Sequence, residues 1–404
     1  MSQLKICAVI VLLCVGLTTS GGCSAARSRH AVPETLVAKA EVPGMSGIRS
    51  WGDRADEATV ADLRESIRQE TAFYAANPGL TMPSTADILA ISGGGEDGAF
   101  GAGLLCGWTE AGTRPQFKLV TGISTGALIA PFAFLGPKYD PVLRESYTMV
   151  SKKDIFKMRG LLGLLSAESL TDNTPLRKMV NRIMTEQVMQ EVAAEHRKGR
   201  RLLVATVNLD AQRPVIWNMG AIACSGDPQA LELFRDVMIA SASIPGAFPP
   251  VYFKVKADGK EYEEMHVDGG TYAQVFLYGP GLTRAVAKSR LGAEYLARPG
   301  RLFIIRNSMP NPAWAQVDAK LFSISGRAIA TLIKANGLND LIRLHVIATR
   351  DQLEFNLAHI PAGVGGPLPE PFDNQYMNNL FDYGYRKAKE GYPWMKAPPF
   401  VITF

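Results

Sequence analysis

Cysteine is scarce in this chain, with five residues among 404. Two of them, Cys7 and Cys14, lie close to the N-terminus. The sequence is therefore not typical of a small fold held together by disulfide bonds. A charge of one sign is also lacking, because 43 Lys and Arg stand against 38 Asp and Glu, and no basic block is interleaved with aromatic residues. The composition therefore excludes a nucleic-acid footprint and a disordered chain. The length is ample for one large α/β domain or about two ordinary domains.

The chain also lacks an apolar run long enough to span a bilayer. Residues 6–17 form an apolar run of 12 residues after Lys5, which fits the hydrophobic part of an export signal. Small residues and Cys23 follow, as in a bacterial lipoprotein cleavage box, although Ser20 stands where that box usually has Leu. We expect a signal peptide over residues 1–22, lipidation of Cys23 and anchoring to a membrane surface of the bacterial envelope, on the periplasmic or outer-membrane side. Ordinary cleavage after Ala25 or Ala26, which would release a free secreted protein, is the alternative.

Apolar strand patterns alternate with helical patterns along most of the chain, which predicts a layered α/β domain with a mostly parallel sheet. We expect a tether and a helix over residues 23–83, a core over 84–285, and a C-terminal part over 286–404 that packs on the same domain. The apolar stretch 156–170 fits a lid or a core helix equally well. The predicted strands are 87–91, 117–121, 201–207, 214–217, 251–255 and 301–305; the predicted helices are 53–74, 99–111, 127–135, 174–195, 229–242 and 317–349, the last broken around Gly337.

The first turn that could bind a ligand or take part in catalysis connects a strand to a helix. It contains Gly93-Gly94-Gly95-Glu96-Asp97-Gly98. Its backbone N–H groups, at a helix N-terminus, can hold a phosphate or a transient oxyanion. The turn fits the dinucleotide pattern GxGxxG, but the second strand is not followed by the acidic residue that would hold a ribose. No Gly-Lys-Ser/Thr follows either, and Glu96 and Asp97 would repel a pyrophosphate. We therefore expect no nucleotide cofactor.

The second turn, Gly122-Ile123-Ser124-Thr125-Gly126, matches G-x-S-x-G between an apolar strand and a helix. This placement is that of a nucleophile elbow, which makes Ser124 the candidate nucleophile. A serine hydroxyl needs a base to take its proton. The order Ser124, Asp268 and then His345 or His359 satisfies the classical hydrolase order, and His266 could tune Asp268. The residues alone leave the base open between these arrangements.

Taken together, the two turns and Asp268-Gly269-Gly270 resemble the three signature blocks of the patatin-like phospholipase family. Residues 240–245 and 248–250 are similar to the segment that precedes the catalytic aspartate in that family. The resemblance covers residues 87–278. One position departs from the pattern: Asp97 stands where the family often has a basic residue, which favours an acyl hydrolase in the broad sense over a phospholipase.

The resemblance implies a three-layer α/β/α sandwich with a mostly parallel central sheet. It implies hydrolysis of phospholipid or other carboxylic esters through an acyl-serine, with neither metal nor cofactor and with no nucleic acid or nucleotide as partner. Two other functions stay open: a Ser-His-Asp esterase that uses His345 or His359, and a non-catalytic lipid-binding envelope lipoprotein. The implied roles are Ser124 as nucleophile, Asp268 as base, the N–H groups of Gly93, Gly94 and Gly95 as oxyanion hole, and Gly98, Gly122, Gly126, Gly269 and Gly270 as motif glycines.

Overall fold

A computed structural model describes residues 29–54, 57–160, 168–278 and 298–400. The expected signal peptide, Cys23 and the middle of the apolar stretch 156–170 lie outside these residues. The strands are β1 Arg49–Trp51, β2 Ala86–Ile91, β3 Leu119–Gly122, β4 Lys157–Met158, β5 Thr171–Asp172, β6 Arg201–Asn208, β7 Arg213–Asn218, β8 Val251–Ala257, β9 Lys260–Asp268, β10 Gly300–Arg306 and β11 Leu353–His359. The α-helices are α1 Glu57–Ala76, α2 Gly98–Glu110, α3 Thr125–Leu135, α4 Asp140–Thr148, α5 Lys152–Ile155, α6 Thr174–Ile183, α7 Glu186–Arg197, α8 Met219–Cys224, α9 Ala230–Ser241, α10 Leu321–Arg350 and α11 Asn374–Lys389.

The main sheet has the order β1-β7-β6-β3-β2-β10-β11, with β9 pairing to β6 and β8 to β9. The five strands from β6 to β11 run parallel, whereas β1, β7, β8 and β9 pair antiparallel. The parallel strands are apolar along most of their length because helices cover both of their faces. The predicted α/β/α sandwich with a mostly parallel central sheet is therefore confirmed.

Alternate side chains of β10 show how the two faces are filled. Phe303 and Ile305 enter the larger core with α2 and α11. Leu302 and Ile304 enter a second core with Leu341 and other residues of α10. This alternation follows from the period of two residues in a strand. The C-terminal elements β10 and α10 thus supply part of the sheet and its cover on one face.

Glycines allow α2 and α11 to pack in backbone contact. A Cβ on Gly103 would lie 2.0 Å from the carbonyl oxygen of Phe381, and one on Gly107 would lie 2.1 Å from that of Tyr385. Any side chain at these positions would push the helices apart. The close approach holds α11 against the helix that begins at the glycine-rich turn.

Two helix predictions were wrong in detail. The pattern over 174–195 is split into α6 and α7, because the Thr185 side chain accepts a hydrogen bond from the Val188 N–H (3.3 Å) and caps a new helix. The helix predicted to break around Gly337 runs unbroken from Leu321 to Arg350. A Cβ at position 337 would lie 2.1 Å from Nη2 of Arg306, so this glycine makes room for an arginine rather than ending the helix.

No helix among the described residues is long and apolar enough to cross a membrane. Cys106 and Cys224 are both free thiols. Burial raises the pKa of the Cys106 thiol to about 12, so this thiol stays protonated and inert at neutral pH.

Candidate active site

Ser124 occupies a strained turn between β3 and α3. Its φ is 55° and its ψ is −125°, a backbone conformation that is costly for a residue with a side chain and that is typical of functional sites. A Cβ on Gly122 would lie 2.4 Å from the carbonyl oxygen of Gly126, and one on Gly126 would lie 2.4 Å from that of Ile91. Both flanking glycines are therefore required by close backbone approach, as a nucleophile elbow demands.

The pairing of β6 with both β3 and β9 brings Asp268 next to the turn that carries Ser124. β3 pairs with β6 until Gly122 lies opposite Val204. Two residues further along β6, Thr206 lies opposite Asp268, the last residue of β9. β3 and β9 therefore follow one another along the same edge of β6, and their ends meet. This meeting places the residue types of a nucleophile and a base side by side.

Burial changes the acidity of Asp268. The residue is 4% exposed, and burial raises the pKa of its carboxyl to about 7, although hydrogen bonds from the Ser124 side chain and the Gly270 backbone act in the opposite direction. The Gly270 N–H donates to Oδ1 at 2.6 Å. A carboxylate with this pKa is a far better general base at neutral pH than an ordinary aspartate.

Two serines at the end of α9 hold both groups by their backbones. The Ser124 N–H donates to Oγ of Ser241 (3.0 Å), whose hydroxyl donates to the Ala205 carbonyl (2.7 Å). The Asp268 N–H donates to the Ser243 carbonyl at 2.9 Å. The segment over residues 240–245 thus holds the Ser124 turn and the end of β9 at a fixed separation. Ser241 and Ser243 position the backbone of the site and do not themselves react.

The three glycines of the first turn are not equivalent. The Gly93 N–H donates to the Gln274 carbonyl at 3.0 Å, so that this donor is already engaged. The N–H groups of Gly94 and Gly95 have no acceptor among the residues that the structure describes. A Cβ on Gly94 would lie 2.0 Å from the carbonyl oxygen of Asn307, and Gly95 has a φ of 59°. Two free donors thus remain in the turn that faces the elbow.

The remaining motif glycines also mark close contacts. A Cβ on Gly98 would lie 2.2 Å from Oγ1 of Thr125, next to the elbow, and one on Gly269 would lie 2.5 Å from the Ala205 carbonyl. A Cβ on Gly270 would lie 2.9 Å from Nε2 of Gln274 and 3.0 Å from Oδ1 of Asp268. Each glycine therefore lets one wall of the site approach another.

Gln274 and Asp340 are site residues that sequence reasoning missed. Nε2 of Gln274 donates to the Gly270 carbonyl at 2.8 Å, and Oδ2 of Asp340 accepts from the Gln274 N–H at 2.6 Å. Together with the Gly93 contact, Gln274 joins the glycine-rich turn to the loop after Asp268. Asp340 lies on α10, far away in sequence and within an ordinary helical pattern, so nothing local marked it.

Asp97, the position that departs from the family pattern, faces a buried cation. Burial raises the pKa of its carboxyl to about 7, while a hydrogen bond with Tyr376 (2.7 Å) and the charges of Arg306 and Lys334 act in the opposite direction. Arg306 at the end of β10 is 4% exposed, and its Nη1 has no hydrogen-bond partner among the described residues. Burial lowers the pKa of this guanidinium to about 10, against the pull of Asp340 and Asp97. The charge that Asp97 brings to the turn is thus partly neutralised.

None of the histidines, all of which the structure describes, hydrogen-bonds with Ser124 or Asp268. His266 is fully buried and contacts Oγ1 of Thr206 (2.8 Å) and Oε2 of Glu264 (3.1 Å). His345 packs edge-on against a phenylalanine. His359 ends β11, three strands from β3 or about 14 Å at the usual spacing. The geometry therefore gives no support to a histidine base.

An apolar pocket lies behind the elbow. Gly95 and Thr125 form part of its wall, which places it beside the free donors and the candidate nucleophile. Its remaining lining is almost entirely apolar and comes mostly from α3, α4, α6 and two C-terminal residues, including Leu128, Phe132, Met179, Ile183, Phe372 and Met377. Its cavity volume is about 40 Å³, well below the roughly 300 Å³ at which ligand pockets begin, so that it suits only the first carbon atoms of a hydrocarbon chain. Among the residues described, no cluster of His, Cys, Asp or Glu has the arrangement of a metal site.

Among solved structures, VipD from Legionella pneumophila aligns with a TM-score of 0.32 and 13% identity, over 77% of this chain and 67% of that one. The human GIVD cytosolic phospholipase A2 aligns with a TM-score of 0.34 and 11% identity, over 87% of this chain, which spans 64% of that protein's length. No curated protein matches the sequence. Residues 89–278 match the model of the patatin-like phospholipases, and this part of the chain is a patatin-like phospholipase domain.

Proposed function

We propose that the protein is a serine acyl hydrolase that cleaves lipid carboxylic esters through Ser124 and Asp268. The observation that carries the proposal is the meeting of a serine on a strained elbow with a buried carboxyl whose pKa is about 7. A lipid ester is the substrate class that the family supports. The departure at Asp97 leaves the head group open, so that the proposal names the ester and not the phosphate.

The reaction begins with proton transfer from Ser124 to the Asp268 carboxylate as Oγ attacks the ester carbonyl carbon. The carbonyl oxygen becomes an oxyanion, which the free N–H groups of Gly94 and Gly95 stabilise. The carbon–oxygen bond to the alcohol then breaks, and the leaving oxygen takes the proton back from Asp268. An acyl-serine remains.

Hydrolysis of the acyl-serine repeats these steps with water. Asp268 takes a proton from the water as its oxygen attacks the acyl carbon, and the oxyanion forms again at the glycine turn. Collapse breaks the bond to Oγ of Ser124, which regains its proton, and the fatty acid leaves. The raised pKa of Asp268 suits both directions of proton transfer, since neither protonation state is strongly favoured near neutral pH.

The apolar pocket behind the elbow is the proposed site of the first carbon atoms of the acyl chain. It begins at Gly95 and Thr125, which flank the carbonyl position, and its walls offer almost no polar atoms to a bound ligand. An acyl chain in this pocket would leave the alcohol part of the ester on the open side. We also propose envelope localisation through a lipidated Cys23, which loss of fatty-acid incorporation in Cys23→Ser would test.

The test of the hydrolase is covalent labelling with a fluorophosphonate, which replaces its fluoride by an activated serine oxygen. The parent is expected to label, Ser124→Ala to lose labelling fully, and Asp268→Asn to lose most of it. Ser225→Ala, at an exposed serine after α8, is the control and should label like the parent. A folded parent that does not label would contradict the hydrolase and favour a lipid-binding role.

Two further variants test the alternative base. His345→Ala and His359→Ala are each expected to keep labelling and ester turnover, because neither histidine hydrogen-bonds with Ser124 or Asp268. Loss of turnover in either variant, with its melting temperature unchanged, would contradict the Ser-Asp dyad and favour a Ser-His-Asp arrangement.

A further inference from the structure

The first half of α10 is an apolar helix with little cover. Among the described side chains of residues 321–335 none is buried, whereas buried residues recur from Gly337 onward. Leu321 is 75% exposed and Leu332 is 69% exposed. Trp314, in the loop that leads to the helix, is 90% exposed. Single exposed apolar residues are ordinary, but a run of them on one element marks an interaction surface.

These apolar residues share one side of the helix. Leu321, Ile324, Ile329 and Leu332 follow the spacing of one helical face, and Ile333 extends it. All five are more than a third exposed; they are called here the exposed face of α10.

The basic residues of the same segment lie on the opposite side. Counted at 3.6 residues per turn, Lys320, Arg327 and Lys334 fall on one stripe away from the apolar side chains. Residues 311–336 contain these three basic residues and a single acidic one, Asp318. An apolar face with Lys and Arg on the polar face is the pattern of a helix that lies in a membrane interface.

Helix α10 is hydrogen-bonded to the loop that follows Asp268. Nδ2 of Asn336 donates to the Tyr272 carbonyl at 3.1 Å, and Asp340 accepts from the Gln274 N–H. Tyr272 follows the Asp268-Gly269-Gly270 turn and is itself 41% exposed. At about 1.5 Å per residue, the exposed face begins at Ile333, roughly 4.5 Å along the helix from Asn336, and extends away from it.

Lys334 and Arg327 also hold the preceding loop in place. Nζ of Lys334 donates to the Asn311 carbonyl at 2.5 Å, and Arg327 donates to the Ala313 carbonyl. The loop, and with it Trp314, is therefore held on the basic side of the helix and not on its apolar face. Tryptophan favours the level of the lipid head groups.

We propose that the exposed face of α10, with Trp314, docks on a lipid bilayer that contains anionic lipids and so delivers ester substrates to Ser124. The inference rests on the proposed function, because a lipid ester has to reach the dyad from a lipid phase. The basic stripe matches the charge of anionic head groups. The face lies outside residues 89–278, so that the family match does not account for it.

The test compares binding to phosphatidylcholine vesicles with and without phosphatidylglycerol. Whole chains are used in a Cys23→Ser background, so that an acyl anchor contributes to none of them. The double variant I329Q/L332Q is expected to bind about tenfold more weakly, because two exposed apolar side chains no longer enter the interface. Lys320→Gln is expected to reduce only the preference for vesicles with phosphatidylglycerol. Leu80→Gln, at a leucine that is 53% exposed elsewhere, is the matched control and should bind like the parent.

Two independent readouts accompany the binding assay. Tryptophan emission should shift to shorter wavelength when vesicles are added, and the shift should be lost in Trp314→Phe. Turnover of a short, water-soluble ester should be the same in the parent and in the double variant, whereas hydrolysis of vesicle lipids should fall with binding.

The outcomes separate the two proposals. If the parent cleaves the soluble ester but binds no vesicles, or if the double variant binds as well as the parent, the docking proposal is wrong while the hydrolase stands. Binding without any ester turnover would contradict the hydrolase instead. Dimerisation of the parent that the double variant loses, with vesicle binding unchanged, would show that the face joins two copies of the chain and would overturn docking.

Discussion

Asp268→Asn is expected to abolish activity and to stabilise the protein at alkaline pH. The carboxyl is buried, and its pKa is about 7 against an ordinary value of 3.8. This difference corresponds to about 4 kcal/mol of preference for the neutral form. Asparagine is neutral at every pH and keeps the oxygen that accepts from the Gly270 N–H. The variant therefore avoids the free-energy cost of ionising a buried carboxyl.

The sign of the pH dependence follows from the raised pKa. The folded state binds a proton more tightly than the unfolded state, so the stability of the parent falls as pH rises from about 4 through about 7. At pH 8 the variant should be more stable by up to about 4 kcal/mol, or about 5 °C for a chain of this length. Near pH 4 the two melting temperatures should converge, because aspartic acid and asparagine are both neutral in the fold.

The assay is thermal unfolding of parent and variant between pH 4 and pH 8. The other buried acids are present in both chains, so that the difference between the curves isolates Asp268. Asp210→Asn is the control of opposite sign, since a hydrogen bond from Arg29 lowers the pKa of that carboxyl and its removal should destabilise the protein at pH 8. A constant difference across the pH range, or a variant less stable at pH 8, would refute the assignment of Asp268 as a buried base.

Three further outcomes are expected around the same site. Ester turnover of the parent should rise with pH through about 7 on a single titration, since Asp268 acts as a carboxylate; a pH-independent rate would argue against this base. Ser241→Ala should lower turnover about tenfold and stability by roughly 1–3 kcal/mol, because the buried N–H of Ser124 loses its acceptor; unchanged kinetics would show that this bond does not position the nucleophile. Gly126→Ala should give little folded protein, because its Cβ would lie 2.4 Å from the Ile91 carbonyl; normal expression and melting would contradict the close-approach argument.

The elbow and the glycine turns could be predicted because their signals are local. Gly122 and Gly126 flank Ser124 within five residues, and a strand before them and a helix after them were visible in the apolar pattern. The helix break expected at Gly337 was wrong because the same residue type serves two purposes. In α10 this glycine admits the Arg306 side chain, a long-range reason that a local pattern does not contain.

The choice of base could not be made from residue types alone. Asp268, His345 and His359 all satisfied the order of a hydrolase along the chain. Strand order favours Asp268 over His359, because β11 lies three strands away from β3 whereas β9 pairs with the same strand as β3. Sequence order carries no information about which strands become neighbours.

Local signals in the sequence predicted the alternation of strands and helices, the turns that need glycine and the serine that projects from one of them, because each depends on neighbours a few residues apart. The folded structure alone shows that Asp268 meets Ser124, that Asp340 accepts a hydrogen bond from the Gln274 N–H, and that the Gly93 N–H is already hydrogen-bonded. It also decided the near-neutral pKa of Asp268, since burial is a property of the whole packed domain. Register and burial arise from contacts between distant segments, which no local pattern encodes.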